Sequence, residues 1–596
     1  MKQSLIVLKF GSSVLSAGSQ LPAVVHEIYR CYRQGCQVVV VVSAIGRHTD
    51  VLLDEAKRIA TPAAPDGALA QLLSTGELQS AALITMALHR AGIPCELIDP
   101  TTAGLILGGD RLDAMPFMLD IDTLRMKLAS TPVLVLPGFV GRHECDGTAL
   151  MGRGGSDLTA VFLADQLGAD ECRLVKDVDG IYERDPAEAE KKPQNGRPHR
   201  YGTVTYEDAL RVANVLLQPK AIEYLETKGN TARVSALLHE DGTEVGAPMT
   251  ITADAIPSSP LKVLMLGLGE VGVGVFQHLL ERSEFFKVVG INVRDIHKDR
   301  GNDVPRALLE RDIEVLMARP HDLLVDVSDD RPNIYAVMEE CLQAGCAVVT
   351  ANKRLVADRG AALTAIALKT GTSFEYSAAV GGSAPMVETV KRAVELGGVI
   401  RLRGVLNGTC NYVLDRIAEG MSFEDAVVEA QELGFAESDV ARDLNGQDTE
   451  DKLRILARIA FGAEHDGLPV WREGLEALTS RFFELAKTRE QVIRLVATIE
   501  PEGRAQVAPE SLPADNFLAG TQGEENRLII NGAGGRTWQV SGKGAGRWPT
   551  AEAVLADMLD IHARTMRSAV PSPAHSVVSG RATASLAACC SAKKAI

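Results

Sequence analysis

The sequence is poor in the features that mark several classes of protein. Ten cysteines in 596 residues are too few for a disulfide scaffold, and none reads as a C-x-x-C or zinc-ligand pair. Cys589 and Cys590 sit in a terminal stretch with no structural role to assign. Basic charge is in deficit: 62 Lys and Arg against 78 Asp and Glu leave a net charge of −16. A general nucleic-acid binder needs a basic surface and is excluded, whereas anionic small substrates are met by local charges and backbone N–H groups. No apolar run approaches the ~18 residues of a membrane span. The start MKQSLIVLKFGSS has about four apolar residues before Lys9, short of a ~7–15-residue signal core. Together these absences point to a reduced, cytoplasmic chain with no membrane partner. Gly 54 and Pro 26 are near average usage, which removes collagen-like and largely disordered readings. No internal repeat is visible.

What is present is length and α/β alternation. Dividing 596 residues by ~150 gives roughly four domains. Leu5–Phe10, Gln37–Ala44, Val133–Pro137 and Cys172–Gly180 read as buried strands, and Val24–Gln34, Leu78–Arg90 and Leu158–Leu167 as helices. Continuous Val/Ile/Leu strands between helices imply a parallel sheet covered on both faces. The pattern dissolves over 236–260, which reads as a linker between a first unit, 1–235, and a second that opens with a strand at Leu261. Alternation continues to about 385, longer helices (Pro385–Leu396, Phe423–Leu433, Thr449–Ile459, Arg472–Leu485) and β-like runs (Val492–Ile499, Arg527–Ile530, Thr537–Val540) fill 386–545, and a helix returns within 546–567. Residues 568–596 are small, Pro-punctuated and aperiodic, the pattern of a disordered tail.

In the second half, Gly267-Leu268-Gly269-Glu270-Val271-Gly272 follows a strand and opens a helix. That context is a dinucleotide fingerprint: a tight turn at Gly267, close pyrophosphate approach at Gly269, close helix packing at Gly272, and the helix N-terminus facing phosphate. The next strand, Val288–Asp295, ends with Arg294, which suits a 2′-phosphate, and Asp295, which suits a 2′-hydroxyl, so NADP and NAD both remain open. Asp448 and Lys452 are i and i+4 on a predicted helix and share a face; by spacing alone they are as compatible with a surface ion pair.

Over about Leu261–Arg567 the chain resembles homoserine dehydrogenases. The residues that carry the resemblance are the fingerprint, Val349–Lys353, Ala379–Pro385, Gly404–Asn411, Gly434–Asp448 and Gly542–Ala551. The resemblance implies a Rossmann domain with an α+β catalytic and dimerisation domain. It implies NAD(P)-dependent hydride transfer between aspartate 4-semialdehyde and homoserine. It places Lys353, Asp448 and Lys452 at catalytic positions and Glu437 and Asp443 at substrate positions. Lysine stabilises the negative charge that builds on the aldehyde oxygen, and carboxylates suit the substrate ammonium. The family also binds a monovalent cation on the backbone near Val380, beside a glutamate where this chain has Ser377; Glu375 lies two residues away.

Over about Leu5–Val234 the chain resembles aspartate kinases of the amino-acid kinase fold, on Lys9–Ser13, Val42–Ala44, Ser74–Glu77, Gly152–Ala160 and Lys176–Tyr182. The resemblance implies ATP with Mg²⁺ and L-aspartate as substrates. Lys9 and Asp157 take catalytic positions; Glu77, Arg153 and Ser43 contact the amino acid; Gly11, Ser12, Asp177, Asp179 and Tyr182 lie along the nucleotide. Two positions depart from the pattern: Ser12 replaces a second glycine, and Val212–Pro219 lacks the family's lysine and histidine, with Gln218 in place of the histidine and Lys220 nearby. The family's tandem ACT regulatory domains have no room in the short linker. The residues allow two readings, a bifunctional kinase–dehydrogenase and a dehydrogenase with a degenerate kinase-like module. A homodimer or higher homo-oligomer is expected in either.

Overall fold

The computed structural model describes all residues except 1–2, 61–63, 185–197, 213–215, 240, 252–258, 299, 301–303, 329–332, 434–439, 463–464, 466, 501–502 and 570–596. Glu437 and nearly all of the expected tail therefore lie outside the described residues.

The first half is built on a sheet whose neighbours run, in spatial order, Ala232–Ala236, Glu171–Lys176, Leu5–Phe10, Gln37–Val42, Val133–Pro137 and Cys95–Leu97, every pair parallel. Val38 through Val42 are fully buried, because their alternating side chains meet helices on both faces. On one face they meet helix α1 (Leu21–Arg33) through Val24, Ile28 and Tyr29. On the other they meet α3 (Gly155–Leu167) through Leu158 and Phe162. Between these in sequence, α2 spans Asp66–Arg90, twelve residues longer at its start than expected. Part of the expected linker is sheet: Thr243–Val245 pairs with Ala232–Ala236, and Thr250–Ile251 forms an edge on Tyr201–Val204. Gly and Pro punctuation there marks turns between short edge strands rather than a free connection.

The second half opens with an all-parallel sheet, 309–310, 286–292, 261–266, 323–326, 347–350 and 374–375 in spatial order. Helix α4 (Glu270–Leu280) and the last helix of the chain, Arg547–Ala569, cover one face together. An antiparallel sheet comes next, ordered 470–472, 505–513, 491–499, 399–405, 525–532, 537–543, apart from the parallel 470–472/505–513 edge pair. Helices Met386–Glu395, Gly408–Ala418 and Gln447–Phe461 pack on it. The expected helix Arg472–Leu485 is instead the end of a strand, a 3₁₀ turn at Leu475–Ala477 and a helix at Ser480–Thr488. Strand Ala505–Pro513, with prolines at 509 and 513, carries no strand signal in its sequence.

The two halves share an interface centred on α1. Arg33 donates to Glu388 (2.8 Å) and Ser377 (3.0 Å) and pairs with Asp557, and Tyr32 donates to the Ser541 carbonyl at 2.6 Å. His26 pairs with Glu552, the Ser383 hydroxyl donates to the Gly92 carbonyl at 3.0 Å, and Arg90 stacks over Trp548 at 4.5 Å. Among the described residues no helix is long and apolar enough to cross a membrane.

Candidate active sites

The parallel sheet of the second half sets the dehydrogenase-like crevice. Leu266 pairs with Asp326 and Asp326 with Thr350, so three strands end level. Gly267 leaves the first with φ +96°; a Cβ there would sit 2.8 Å from both Ser328 Cα and the Val327 carbonyl. Only glycine satisfies both demands. Gly272 is equally restricted, its Cβ falling 2.6 Å from the Gly267 carbonyl. Gly269, the N-cap of α4, differs: a Cβ there would meet nothing in the protein within 4 Å. Open space in front of a helix N-terminus fits a pyrophosphate. Leu268 is buried, while Glu270 and Val271 form the first turn of α4. Arg294 and Asp295 are exposed past the end of strand Phe286–Asn292, and Asp295 is held below the usual carboxylate range chiefly by the His297 N–H.

Lys353 begins the helix Lys353–Thr370 directly after the third strand, two strands across from the fingerprint. At ~4.8 Å per strand that is about 10 Å. The helix is capped by the Asn352 side chain, which accepts from Leu355 N at 3.0 Å. Lys353 is half-exposed and pairs with buried Asp448, while Lys452, one turn on, donates to the other Asp448 oxygen at 2.8 Å and to the Leu406 carbonyl at 2.6 Å. Burial would raise Asp448, but the two ammoniums override it and hold it far below its ordinary value. Asn407 donates to both Asp448 (3.0 Å) and Asp443 (2.7 Å). Burial and the neighbouring Asp448 charge push Asp443 up. The i, i+4 pair is thus buried rather than a surface ion pair.

The corner beside Val380 does not suit a cation at residue 377. The Ser377 hydroxyl donates to Asp557 at 2.8 Å and accepts from Arg33. A guanidinium already supplies positive charge there, and Glu375 is paired with Lys391 (3.3 Å) and Arg564 (2.6 Å).

In the first half a cleft of about 870 Å³ opens over the ends of the central strands, lined among others by Gly11, Ser12, Ser43, Arg153, Asp177 and Tyr182. Its floor is a buried charge cluster. Asp157, in the first turn of α3, accepts from Lys9 at 2.7 Å and from Lys176 at 3.0 Å. Burial raises Asp157, but the two lysines override it and hold it at about 2; burial lowers Lys9 to about 8 against the pull of Asp157. Glu77 projects from α2 into the same cleft. Burial pushes it up to about 7, one oxygen accepts from Ala44 N at 3.3 Å, and Oε2 has no partner in the protein. A buried carboxylate oxygen left unpaired beside a cleft fits a ligand cation.

Three family models match the chain. "Homoserine dehydrogenase, NAD binding domain" matches residues 267–377, "Homoserine dehydrogenase" residues 385–559 and "Amino acid kinase family" residues 4–238. The chain is 33% identical over 314 residues to the homoserine dehydrogenase of Pseudomonas aeruginosa, covering 51% of this chain and 72% of that protein. It is 32% identical over 320 residues to that of Corynebacterium glutamicum, with 51% and 72% covered. The chain belongs to the homoserine dehydrogenase family. Among solved structures, a homoserine dehydrogenase from Thiobacillus denitrificans aligns with 52% of this chain and 76% of its own at 29% identity and a TM-score of 0.47.

In this homoserine dehydrogenase fused behind an amino-acid kinase domain, a few further residues named from the sequence have defined surroundings. Asp179 is not among the residues lining the cleft and accepts from Tyr182 (2.6 Å) and Arg200 (3.0 Å). Lys220, the lysine nearest the missing one in sequence, pairs with Asp113 at 2.5 Å and donates to the Met151 carbonyl at 3.1 Å. Gln218 lines the cleft, its Cβ 2.2 Å from where a Gly154 side chain would begin. Sequence reasoning alone does not single out Lys176 or Asn407 as site residues. Lys176 stands beside the aspartates that carry its motif's signal, and Asn407 acts by bridging two carboxylates that are distant in sequence.

Proposed function

We propose that the chain is a bifunctional enzyme that phosphorylates L-aspartate with ATP and reduces L-aspartate 4-semialdehyde to L-homoserine with NADPH or NADH. The observation that carries the dehydrogenase reading is buried Asp448 clamped between Lys353 and Lys452 at the crevice side of the Rossmann sheet. When bound, the nicotinamide supplies the hydride. The residues of the chain do the rest. Asp448 stays ionised and fixes two ammoniums. Lys452 has two of its three N–H donors engaged, by Asp448 and Leu406, so the third is available to the substrate oxygen. Half-exposed Lys353 supplies positive charge and a proton as alkoxide character develops. Asp443, tied by Asn407, receives the substrate ammonium, with Glu437 in the same role.

In the kinase half, ATP with Mg²⁺ supplies the phosphoryl group. Lys9 and Lys176 neutralise the charge that develops during transfer, and Asp157 holds them in register. Arg153 takes the α-carboxylate as a fork and Glu77 the ammonium. The intact lysine–aspartate–lysine floor favours an active kinase over a degenerate module, despite Ser12 and Gln218. A homo-oligomer is part of the same reading. Paired steady-state assays on the intact chain test it. Aspartyl-hydroxamate formation that requires ATP, Mg²⁺ and Lys9, and homoserine-dependent NAD(P)⁺ reduction that requires Lys452, are both expected. No hydroxamate above a Lys9→Ala control removes the kinase activity.

A further inference from the structure

At the opposite end of the same parallel sheet, away from the fingerprint, three soft ligands converge. His321 precedes strand Leu323–Asp326, Cys341 lies in the last turn of helix Ile334–Gln343, and Cys346 leads into strand Ala347–Thr350. Their ligand atoms all lie within 4.8 Å of one another, and among the described residues no other trio of His, Cys, Asp or Glu is grouped in this way. We propose that His321, Cys341 and Cys346 form a structural site for one thiophilic divalent cation of the zinc class.

The geometry supports this in three ways. Cys341 Sγ is 3.6 Å from His321 Nε2. Zinc bonds of about 2.3 Å to sulfur and 2.05 Å to nitrogen, opened to a tetrahedral angle, put ligand sulfur and nitrogen about 3.6 Å apart and two sulfurs about 3.8 Å apart. One edge is already at its coordinated length, and no other must close by more than about an ångström, within reach of a small side-chain rotation. Second, His321 Nδ1 lies 2.7 Å from the Arg319 carbonyl. A carbonyl can only accept, so Nδ1 carries the proton and Nε2 presents its lone pair toward the thiols, the arrangement in which metal-bound histidines are held. Third, the backbone fixes the pair. Cys346 N–H donates to the Cys341 carbonyl at 2.9 Å and Ala347 N–H to the Asp322 carbonyl at 3.1 Å, so helix end and strand start are locked together before any metal arrives.

Both cysteines are buried and His321 is half-buried beside exposed Asp322, so solvent water is the fourth ligand that a tetrahedral ion here would take. Four-residue strands at ~3.3 Å per residue separate this end from the crevice by about 13 Å. The ion is therefore structural: it ties the helix Ile334–Gln343 to two strands and takes no part in hydride transfer. The reading of the dehydrogenase site is not needed for it. The pattern is hidden in sequence because the cysteines stand five apart around a helix end, and the histidine arrives from the adjacent strand.

The test uses the full-length chain, purified reduced and without chelator, stripped and then titrated with Co²⁺ and with Zn²⁺. One equivalent is expected to bind, giving thiolate-to-cobalt charge-transfer absorption and the strong visible bands of tetrahedral cobalt, displaced by zinc. Cys346→Ser and His321→Ala should each weaken Co²⁺ binding by roughly a hundredfold while homoserine oxidation stays unchanged. Should Cys346→Ser misfold, protection of Cys341 and Cys346 from alkylation by Zn²⁺ in the wild-type chain, mapped by peptide mass, gives the same decision. No cobalt bands, bands unchanged in the variants, absent protection, or a Cys341–Cys346 disulfide under reducing purification would each overturn the site.

Discussion

Arg33, on the first helix of the kinase half, buries its guanidinium against Asp557 on the last helix of the dehydrogenase half, with Glu388, Ser377 and Asp560 around it. This pair joins residues 524 positions apart. Removing the arginine leaves a fully buried carboxylate without its counter-charge, which typically costs about 3–5 kcal/mol. Arg33→Ala is expected to lower the melting temperature of the dehydrogenase transition by several degrees, although the residue lies in the other half. Asp557→Ala combined with it should recover part of the loss, because the orphaned charge is gone. Calorimetry on the wild type and these two variants decides: an unchanged dehydrogenase transition in Arg33→Ala would show that the two halves do not support each other.

Asp448 separates electrostatics from packing in the dehydrogenase site. Asp448→Asn keeps the shape but removes the charge that holds Lys353 and Lys452. Turnover with homoserine should fall about 10²–10³-fold, in the range of losing one preorganised charge. Without the carboxylate the two ammoniums repel each other and lose their common anchor, so both the turnover number and the KM for homoserine should worsen. Hydroxamate formation in the other half should be unaffected. Wild-type turnover in Asp448→Asn would detach Asp448 from the work of the two lysines.

The kinase half should show a narrow pH optimum. Glu77, raised to about 7 by burial, must be a carboxylate to take an ammonium, so kcat/KM for aspartate falls as pH drops below about 7. Lys9, lowered to about 8 by burial, must be an ammonium, so activity falls as pH rises above about 8. The stability sign runs the other way for Glu77. Its folded value lies above the unfolded one of 4.5, so its proton stabilises the fold at low pH, and that contribution is lost as pH rises from about 4.5 to 7. Glu77→Gln should therefore abolish aspartate phosphorylation yet raise the melting temperature at pH 8. A less stable variant there would contradict the burial argument.

Much of both sites can be read from residue order alone, because their parts lie where strands end. A strand followed by Gly267–Gly272, or by Lys9 and a Gly/Ser turn, has few physical readings other than a phosphate turn. Valine runs such as Val38–Val42 announce a doubly covered sheet. Features set by long-range contacts are not legible. The strand Ala505–Pro513 is held by nine pairings to Gln491–Ile499 and accommodates prolines that argue against a strand locally. The segment from Arg472 has helical periodicity, but Arg472 itself ends an edge strand paired with Val507, and the Glu473 N–H still donates to the Val507 carbonyl. Thr243–Val245 looks like linker until Ala232–Ala236 is beside it. Arg33 carries no signal, since its partners arrive from 344 to 527 residues away.

The fingerprint glycines make opposite predictions that distinguish folding from binding. Gly267→Ala places a Cβ at 2.8 Å from backbone at φ +96°. A non-glycine residue in that conformation carries of order 1–3 kcal/mol of strain, and the backbone contact adds to it. This variant should be destabilised and should bind cofactor poorly. Gly269→Ala meets nothing in the protein and has an extended φ of −79°, so it should unfold at the wild-type temperature. Its new methyl occupies the space in which a pyrophosphate approaches the N-terminus of α4, so the KM for NADPH or NADH should still rise by tenfold or more (~1.4 kcal/mol). The kinase assay is the internal control, because neither glycine touches that half. If Gly269→Ala keeps wild-type cofactor affinity, the pyrophosphate does not lie against this turn, and the cofactor must enter the crevice elsewhere.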